Sequence, residues 1–97
     1  MAMHNPPHPG EFIEATYMEP HGFSCRYLAA QLNVAASTLS RVLKGQSGLS
    51  PEMALRLSKS LGRSPESWLA MQDAYDLWHA KKRVKLSEVS KLKINAA

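Results

Sequence analysis

Residues 24–45, SCRYLAAQLNVAASTLSRVLKG, constrain the fold more than any other stretch of the chain. Two segments with helical apolar spacing, about Cys25–Leu32 and about Ala36–Lys44, are separated by only Asn33, Val34 and Ala35. So short a link forces a sharp bend. The residues that a bend needs are present. Ala29 is small where two helix backbones approach, and Asn33 is the non-glycine residue that best tolerates a left-handed turn. Val34 and Leu39 are apolar where the turn and second helix enter a core.

A bent helical pair of this kind reads as a helix-turn-helix, whose second helix lies in the major groove of DNA. The outward positions of that helix are Ala36, Ser37, Ser40, Arg41 and Lys44, with Thr38 beside them. Small residues at its start let the backbone approach base edges. Ser37 can bond donors or acceptors, Ala36 can touch a thymine methyl, and Arg41 reaches guanine or phosphate. Lys44, Gln46 and Ser47 are expected to continue onto phosphates, and the helix start at Ser24–Arg26 suits another. One strong base-reading side chain implies modest direct readout, with dimer spacing and DNA shape supplying much of the selectivity.

Charge supports a polyanion partner. The first 23 residues hold Glu11, Glu14 and Glu19 with no Lys or Arg, whereas 24–62 hold Arg26, Arg41, Lys44, Arg56 and Lys59 against Glu52 alone. Acids return in Glu66, Asp73 and Asp76, and residues 81–97 are strongly basic. One surface for a polyanion and another for a different partner is the expected arrangement.

Around the bent pair, the chain reads as one all-α domain of five helices. Ser50-Pro51-Glu52 and Ser64-Pro65-Glu66 are two copies of a start signal: a capping serine, a proline that loses no bond, and an acid facing the dipole. Helices are expected at about Pro9–Tyr17, Cys25–Leu32, Ala36–Lys44, Pro51–Ser60 and Pro65–Lys82, with loops bracketed by Pro20 and Gly22 and by Gly45 and Gly48. Gly62 is expected as the left-handed residue closing the fourth. The expected division is an N-terminal arm (1–8), a helix-turn-helix domain (9–82) and a basic C-terminal tail (83–97). Val84, Leu86, Val89, Leu92 and Ile94 fit neither helical nor strand period, so a strand, a loose extension and disorder all stay open for the tail.

The fifth helix carries Trp68, Met71, Ala74, Tyr75, Leu77 and Trp78 over an arc of roughly 180°, wider than packing on one side requires. Gln72, Asp73, Asp76 and His79 fill its polar side. Trp68, Met71, Tyr75 and Trp78 are therefore expected at a homodimer interface, where such residues are enriched.

Other chemistries find little support. With 97 residues, 44% of them hydrophobic and 21% charged, the chain suits one small folded domain. No apolar run approaches the ~20 residues of a membrane span. MAMHNPPHPGEF, with three prolines, is not a secretory signal. The single Cys25 excludes an intrachain disulfide and a cysteine-based zinc finger and fits a reducing compartment, so the cytoplasm is the expected location. His4, His8, His21 and His79 lack metal-ligand spacing, and no cofactor is expected. Glu11, Glu14 and Glu19 lack an apolar pocket for acid catalysis, and no nucleophile motif surrounds Cys25, so no enzyme activity is expected. Lys81–Lys85 follow a helix with acids on its polar face, which opposes membrane binding; Lys81 and Lys82 suit helix termination.

The string L-x-V-x-x-S-T-L-S-R-V-L-x-G at residues 32–45 resembles the Xre/Cro-type, lambda-repressor-like helix-turn-helix. HPGEF (8–12), Met18-Glu19-Pro20, LAAQLNV (28–34) and LSPEMALRLSKSLGRSPESWLAMQDAYDLWHAKK (49–82) extend the likeness to the HigA antitoxins over about residues 8–82. The resemblance implies a dimeric DNA-binding antitoxin that neutralises a HigB-like mRNA endonuclease toxin and represses its own operon at a palindromic operator. Two departures stand out: Cys25 where relatives often carry glutamine, and Ala35 in place of Ser or Pro at the third helix's cap. Such toxins tend to be basic, so the acidic first helix, through Glu11 and Glu14 and with Asp73 and Asp76 nearby, is the expected docking face. Alternatives are a solitary Xre-type regulator, or a toxin-binding module with little DNA affinity, which the donor-poor start of the third helix would suit.

Overall fold

The computed structural model describes residues 5–94; His4 and the outer ends of the arm and tail lie outside them. Helix α1 (Pro9–Ile13) runs into a π-helical turn (Glu14–Met18) and a closing α-helical turn (Glu19–His21). It is followed by α2 (Cys25–Leu32), α3 (Ala36–Leu43), α4 (Pro51–Leu61) and α5 (Pro65–Arg83). No strand occurs among the described residues. A single 3₁₀ turn, Leu86–Glu88, follows α5 in the tail, where Val84, Leu86, Val89, Leu92 and Ile94 are all exposed.

The first helix extends past its expected end at Tyr17. Pro20 has no amide hydrogen to give and its ring crowds the carbonyl four residues back. The wider π turn just before it accommodates both problems inside a continuous helix. Gly22, at φ 70° and ψ 26°, then closes the helix in the left-handed region.

The twin start signals behave as expected. Ser50 Oγ accepts from the Met53 amide at 3.1 Å and Ser64 Oγ from the Ser67 amide at 3.0 Å. At the end of α4 the roles shift by one residue. Gly62 takes φ 94° and ψ −166°, a conformation open to glycine, and Arg63 is the left-handed residue at φ 65°. Local bonds hold this corner: Trp68 Nε1 donates to the Gly62 carbonyl at 2.9 Å and Ser58 Oγ to the Arg63 carbonyl at 2.7 Å. The Arg63 guanidinium lies 5.2 Å from the centre of the Phe12 ring and 5.7 Å from that of Trp68.

One core joins all five helices, through Ile13, Leu28, Leu39, Leu57 and Trp68 among others. Trp68 is fully buried at 0% exposure, which corrects its placement on a dimer face: its indole fills the domain's own interior. Gln72, expected on the polar side of α5, is also buried, because its amide pairs inside the domain.

Gly10 sets the distance between α1 and α3. A Cβ added there would lie 2.1 Å from the Val42 carbonyl oxygen and 2.7 Å from Leu43 Cα, so the two backbones touch. Gly10→Ala should destabilise the fold by about 1–3 kcal/mol or more through overpacking against backbone that cannot yield. Ala35 has extended dihedrals (φ −66°, ψ 142°) suited to an N-cap but makes no side-chain cap bond. Ala35→Ser should therefore stabilise by about 0.5–2 kcal/mol. Urea titration of both variants checks these outcomes.

Candidate nucleic-acid interface

The bend between α2 and α3 is built as its residues require. Asn33 sits at φ 57°, ψ 47°, in the left-handed region. The Val34 amide donates to the Ala29 carbonyl at 3.0 Å and the Asn33 amide to Ala30 at 3.2 Å, closing α2. Ala29 is buried where the helices meet. Ser24 Oγ accepts from the Tyr27 amide at 3.1 Å and so serves as the cap of α2. Cys25 Sγ points inward to the Ala36 carbonyl at 3.6 Å.

A brace from α4 completes the turn. Arg56 Nη1 donates to the carbonyls of Leu32 (2.9 Å) and Asn33 (3.1 Å), while Nη2 pairs with Glu52 Oε2 at 2.8 Å. The bend's carbonyls thus have a charged donor. Charge alone groups Arg56 with the basic surface, but its head group belongs to the turn. The signal in the sequence is the Glu52/Arg56 spacing of one helical turn.

Helix α3 turns Leu39 and Val42 into the core and leaves Ser37, Arg41 and Lys44 exposed in one row. Thr38 and Ser40 flank the row, half-buried. Ala36 is half-buried and packs against the core, which corrects its placement on the fully outward face. Beyond the helix, Gln46 is exposed and Ser47 half-buried; their amides donate to the Arg41 carbonyl at 2.8 and 3.2 Å, so their side chains are what they offer outward. Arg26 is exposed on the first turn of α2. No Asp or Glu occurs between residues 20 and 51. Among the described residues the only ion pair is Arg56–Glu52, so Arg26, Arg41 and Lys44 form a surface without paired carboxylates. The potential there is positive.

The acidic residues gather elsewhere. Glu11 and Glu14 are exposed on the first helix, Asp73 and Asp76 on α5. Glu11 also borders a cleft of about 330 Å³ shared with His8, Lys44, Gly45 and Tyr75. The remaining residues expected at a dimer face, Met71, Tyr75 and Trp78, are half-buried on α5. Tyr75 meets the His8 ring edge-on at 4.9 Å, and Lys82 Nζ stands 4.7 Å over the Trp78 ring. Leu77, 58% exposed, is the large apolar side chain most open to solvent on α5.

His8, placed in the arm from the sequence, is part of the domain. It is the N-cap of α1: Nδ1 accepts from the Gly10 amide at 2.9 Å, and the ring is buried. Burial holds its pKa below the ordinary 6.5, against the opposing pull of Asp76, the Ser47 backbone and Glu11. Between residues 5 and 94, no three His, Cys, Asp or Glu side chains converge as a metal site would need. None of the described helices is long and apolar enough to cross a membrane.

The turn at Asn33, its brace and the row on α3 define a helix-turn-helix protein. The chain belongs to the helix-turn-helix family of Xre type, whose family profile matches residues 15–68. Among curated proteins it is 40% identical over 92 residues to an uncharacterized HTH-type transcriptional regulator of Escherichia coli strain K12, YddM, covering 95% of this chain and 97% of that one. It is 35% identical to antitoxin HigA-1 of Vibrio cholerae, over 76% of this chain and 70% of the relative. Among solved structures, antitoxin GraA superposes with a TM-score of 0.87 at 38% identity, over 93% of this chain and all of GraA. The Pseudomonas aeruginosa antitoxin HigA, solved with the higBA promoter, gives a TM-score of 0.80 at 30% identity, over 91% of this chain and 99% of that one.

A histidine kept neutral by burial makes stability depend on pH. The unfolded chain takes up this proton more readily than the folded one, so stability is complete above about pH 6.5 and falls as pH drops below it. Protonation would also remove the lone pair that caps Gly10. Urea midpoints at pH 7.5 and 5.5 should show this acid loss in the native chain and a smaller one in His8→Asn, which keeps a capping oxygen that does not titrate.

Proposed function

We propose that this chain is a DNA-binding antitoxin, a homodimer that binds a palindromic operator, represses its own operon and neutralises a HigB-like mRNA endonuclease toxin. The observation that carries this reading is the exposed row Ser37–Arg41–Lys44 on a helix braced at Asn33, in a fold shared with a HigA solved on promoter DNA. In the dimer, two α3 helices enter successive major grooves about 34–36 Å apart. Arg41 reads a base edge, Ser37 assists at the helix start, and Lys44, Gln46, Ser47 and Arg26 meet phosphates. Ala36, Thr38 and Ser40 shape the contact, and Ser24 fixes the N-terminus of α2.

The dimer surface draws on α5 through Met71, Tyr75 and Trp78, joined by the exposed Leu77. Glu11 and Glu14 receive the toxin by charge complementarity. A solitary operator-binding regulator is the second reading, favoured by the 40% identity to a transcriptional regulator; co-purification with the product of a neighbouring toxin gene separates the two.

A mobility-shift titration on the chain's own promoter, against a scrambled duplex, tests the DNA reading. Arg41→Ala should lower operator affinity by about 1–3 kcal/mol and relax sequence preference; equal losses on both duplexes reassign Arg41 to phosphate. Lys44→Ala should weaken both duplexes alike. Reversing charge with Glu11→Lys and Glu14→Lys should weaken the toxin complex without reducing operator affinity, and an unchanged toxin affinity removes α1 as the docking face.

A further inference from the structure

Segment 44–50, which leads from α3 to α4, has no regular structure, and five of its seven residues are exposed. It carries Gly45 at φ 75° and a second glycine, Gly48. A segment of that composition is ordinarily mobile, and mobility would weaken any phosphate contact it makes. Here two buried polar side chains hold it from opposite flanks.

On one flank stands His8. Its Nδ1 is occupied by the Gly10 amide, and the ring lines one cleft with Lys44 and Gly45. A Cβ built on Gly45 would lie 3.8 Å from the imidazole, so the ring packs against the segment directly. On the other flank Gln72 reaches in from α5. Its Oε1 accepts from the Leu49 amide at 2.9 Å and its Nε2 donates to Asp76 Oδ1 at 3.0 Å. A Cβ on Gly48 would sit 3.1 Å from the Gln72 amide carbon, so the amide lies tight against the segment at this glycine. Among the described residues, His8 and Gln72 are the two buried polar side chains of the domain, at 8% and 6% exposure, and both are directed at this one segment. Buried polar groups that find all their partners specify a single arrangement.

We propose that His8 and Gln72 are positioning residues for DNA binding: they fix segment 44–50 so that Lys44, Gln46 and Ser47 meet the phosphates in a preset arrangement. This rests on the DNA-binding reading above and extends it to side chains that touch no DNA. Because Tyr75 packs on His8 and Gln72 lies one turn before Asp76 on the same helix, α5 and the phosphate-facing segment form one rigid unit.

Three variants of the full chain test it, with affinity for the native promoter and a scrambled duplex measured by fluorescence anisotropy over a salt series. His8→Asn keeps a capping acceptor for Gly10 but is too short to fill the ring's place against Gly45. Gln72→Met keeps the volume and loses both bonds. Gln72→Glu combined with Asp76→Asn keeps the acceptor for Leu49 and reverses the donor in the 72–76 pair. The two single variants should bind both duplexes roughly 5–20-fold more weakly, with a salt slope shallower by about one contact. Hydrogen exchange at the Leu49 amide should quicken in Gln72→Met, and the paired exchange should restore slope, affinity and protection together.

Folded single variants with native slope and affinity would overturn the proposal and leave His8 and Gln72 merely structural. Failure of the paired exchange to restore binding, with Leu49 protected again, would do the same. If Gln72→Met does not fold, His8→Asn and the paired exchange decide. A native chain that binds neither duplex defeats the DNA reading itself and this inference with it.

Discussion

Everything on the DNA-facing side depends on one bend, the left-handed turn at Asn33. A three-residue link between two eight-residue helices leaves backbone carbonyls pointing away from both helices, and carbonyls so placed need donors. The guanidinium of Arg56 supplies them from a third helix and is itself steadied by Glu52. The angle between α2 and α3 is thus tied to the position of α4, and α3 can be presented as a rigid reading element. That tie adds to the core packing of Leu39 and Val42 in fixing the bearing of the row Ser37–Arg41–Lys44.

A second constraint acts on the same helix from behind. Gly10 lets the start of α1 lie against the backbone of Val42 and Leu43, and His8 caps α1 at that contact. The HPGEF stretch therefore has a mechanical reading. Histidine supplies a cap and packs its ring beside Gly45 in the loop after α3, proline begins the helix, and glycine permits contact between backbones. Of the acids that follow, Glu11 borders the same cleft as Lys44 and Gly45, and Glu14 is exposed one turn further along.

The sequence made the five helices, the two S-P-E starts and the left-handed Asn33 legible, because each is set by residues within a turn of one another. What it concealed was decided by distant partners. Trp68 and Gln72 sit on a helix whose apolar and polar positions say little about which face turns inward until α4 and the 44–50 segment are in place. Gln72 looks like surface by type and is internal because the Leu49 amide needs an acceptor. Arg56 looks like part of a DNA surface and instead serves carbonyls 23 and 24 residues earlier. Pro20 looks like a helix stop and is tolerated because a π turn precedes it. Gly62 was the natural left-handed residue, yet the position passes to Arg63, whose side chain gains two aromatic rings. Local chemistry was readable, and tertiary bookkeeping was not. Within the candidate interface the same division holds: Ser37, Arg41 and Lys44 were identifiable from helical spacing, whereas the inward lean of Ala36 follows from its contact with α2.

The consequence for α5 is a change of face. With Trp68 taken as the inward reference, Gln72 and Tyr75 lie within about 40° of it, and Leu77, nine residues on at ~100° each, points the opposite way. Ala74 and Trp78 fall between. The wide apolar arc is therefore two surfaces: one of Trp68, Gln72 and Tyr75 that closes the domain, and one reaching from Trp78 through Ala74 to Leu77 that the domain covers only in part. The second, with Leu77 at 58% exposure, is the more open of the two. Since Tyr75 and Gln72 also bound the segment beside Lys44, a partner seated on the outer surface would bear on the same helix that holds that segment. The outer face of α5 and the segment beside Lys44 are thereby joined through a single helix.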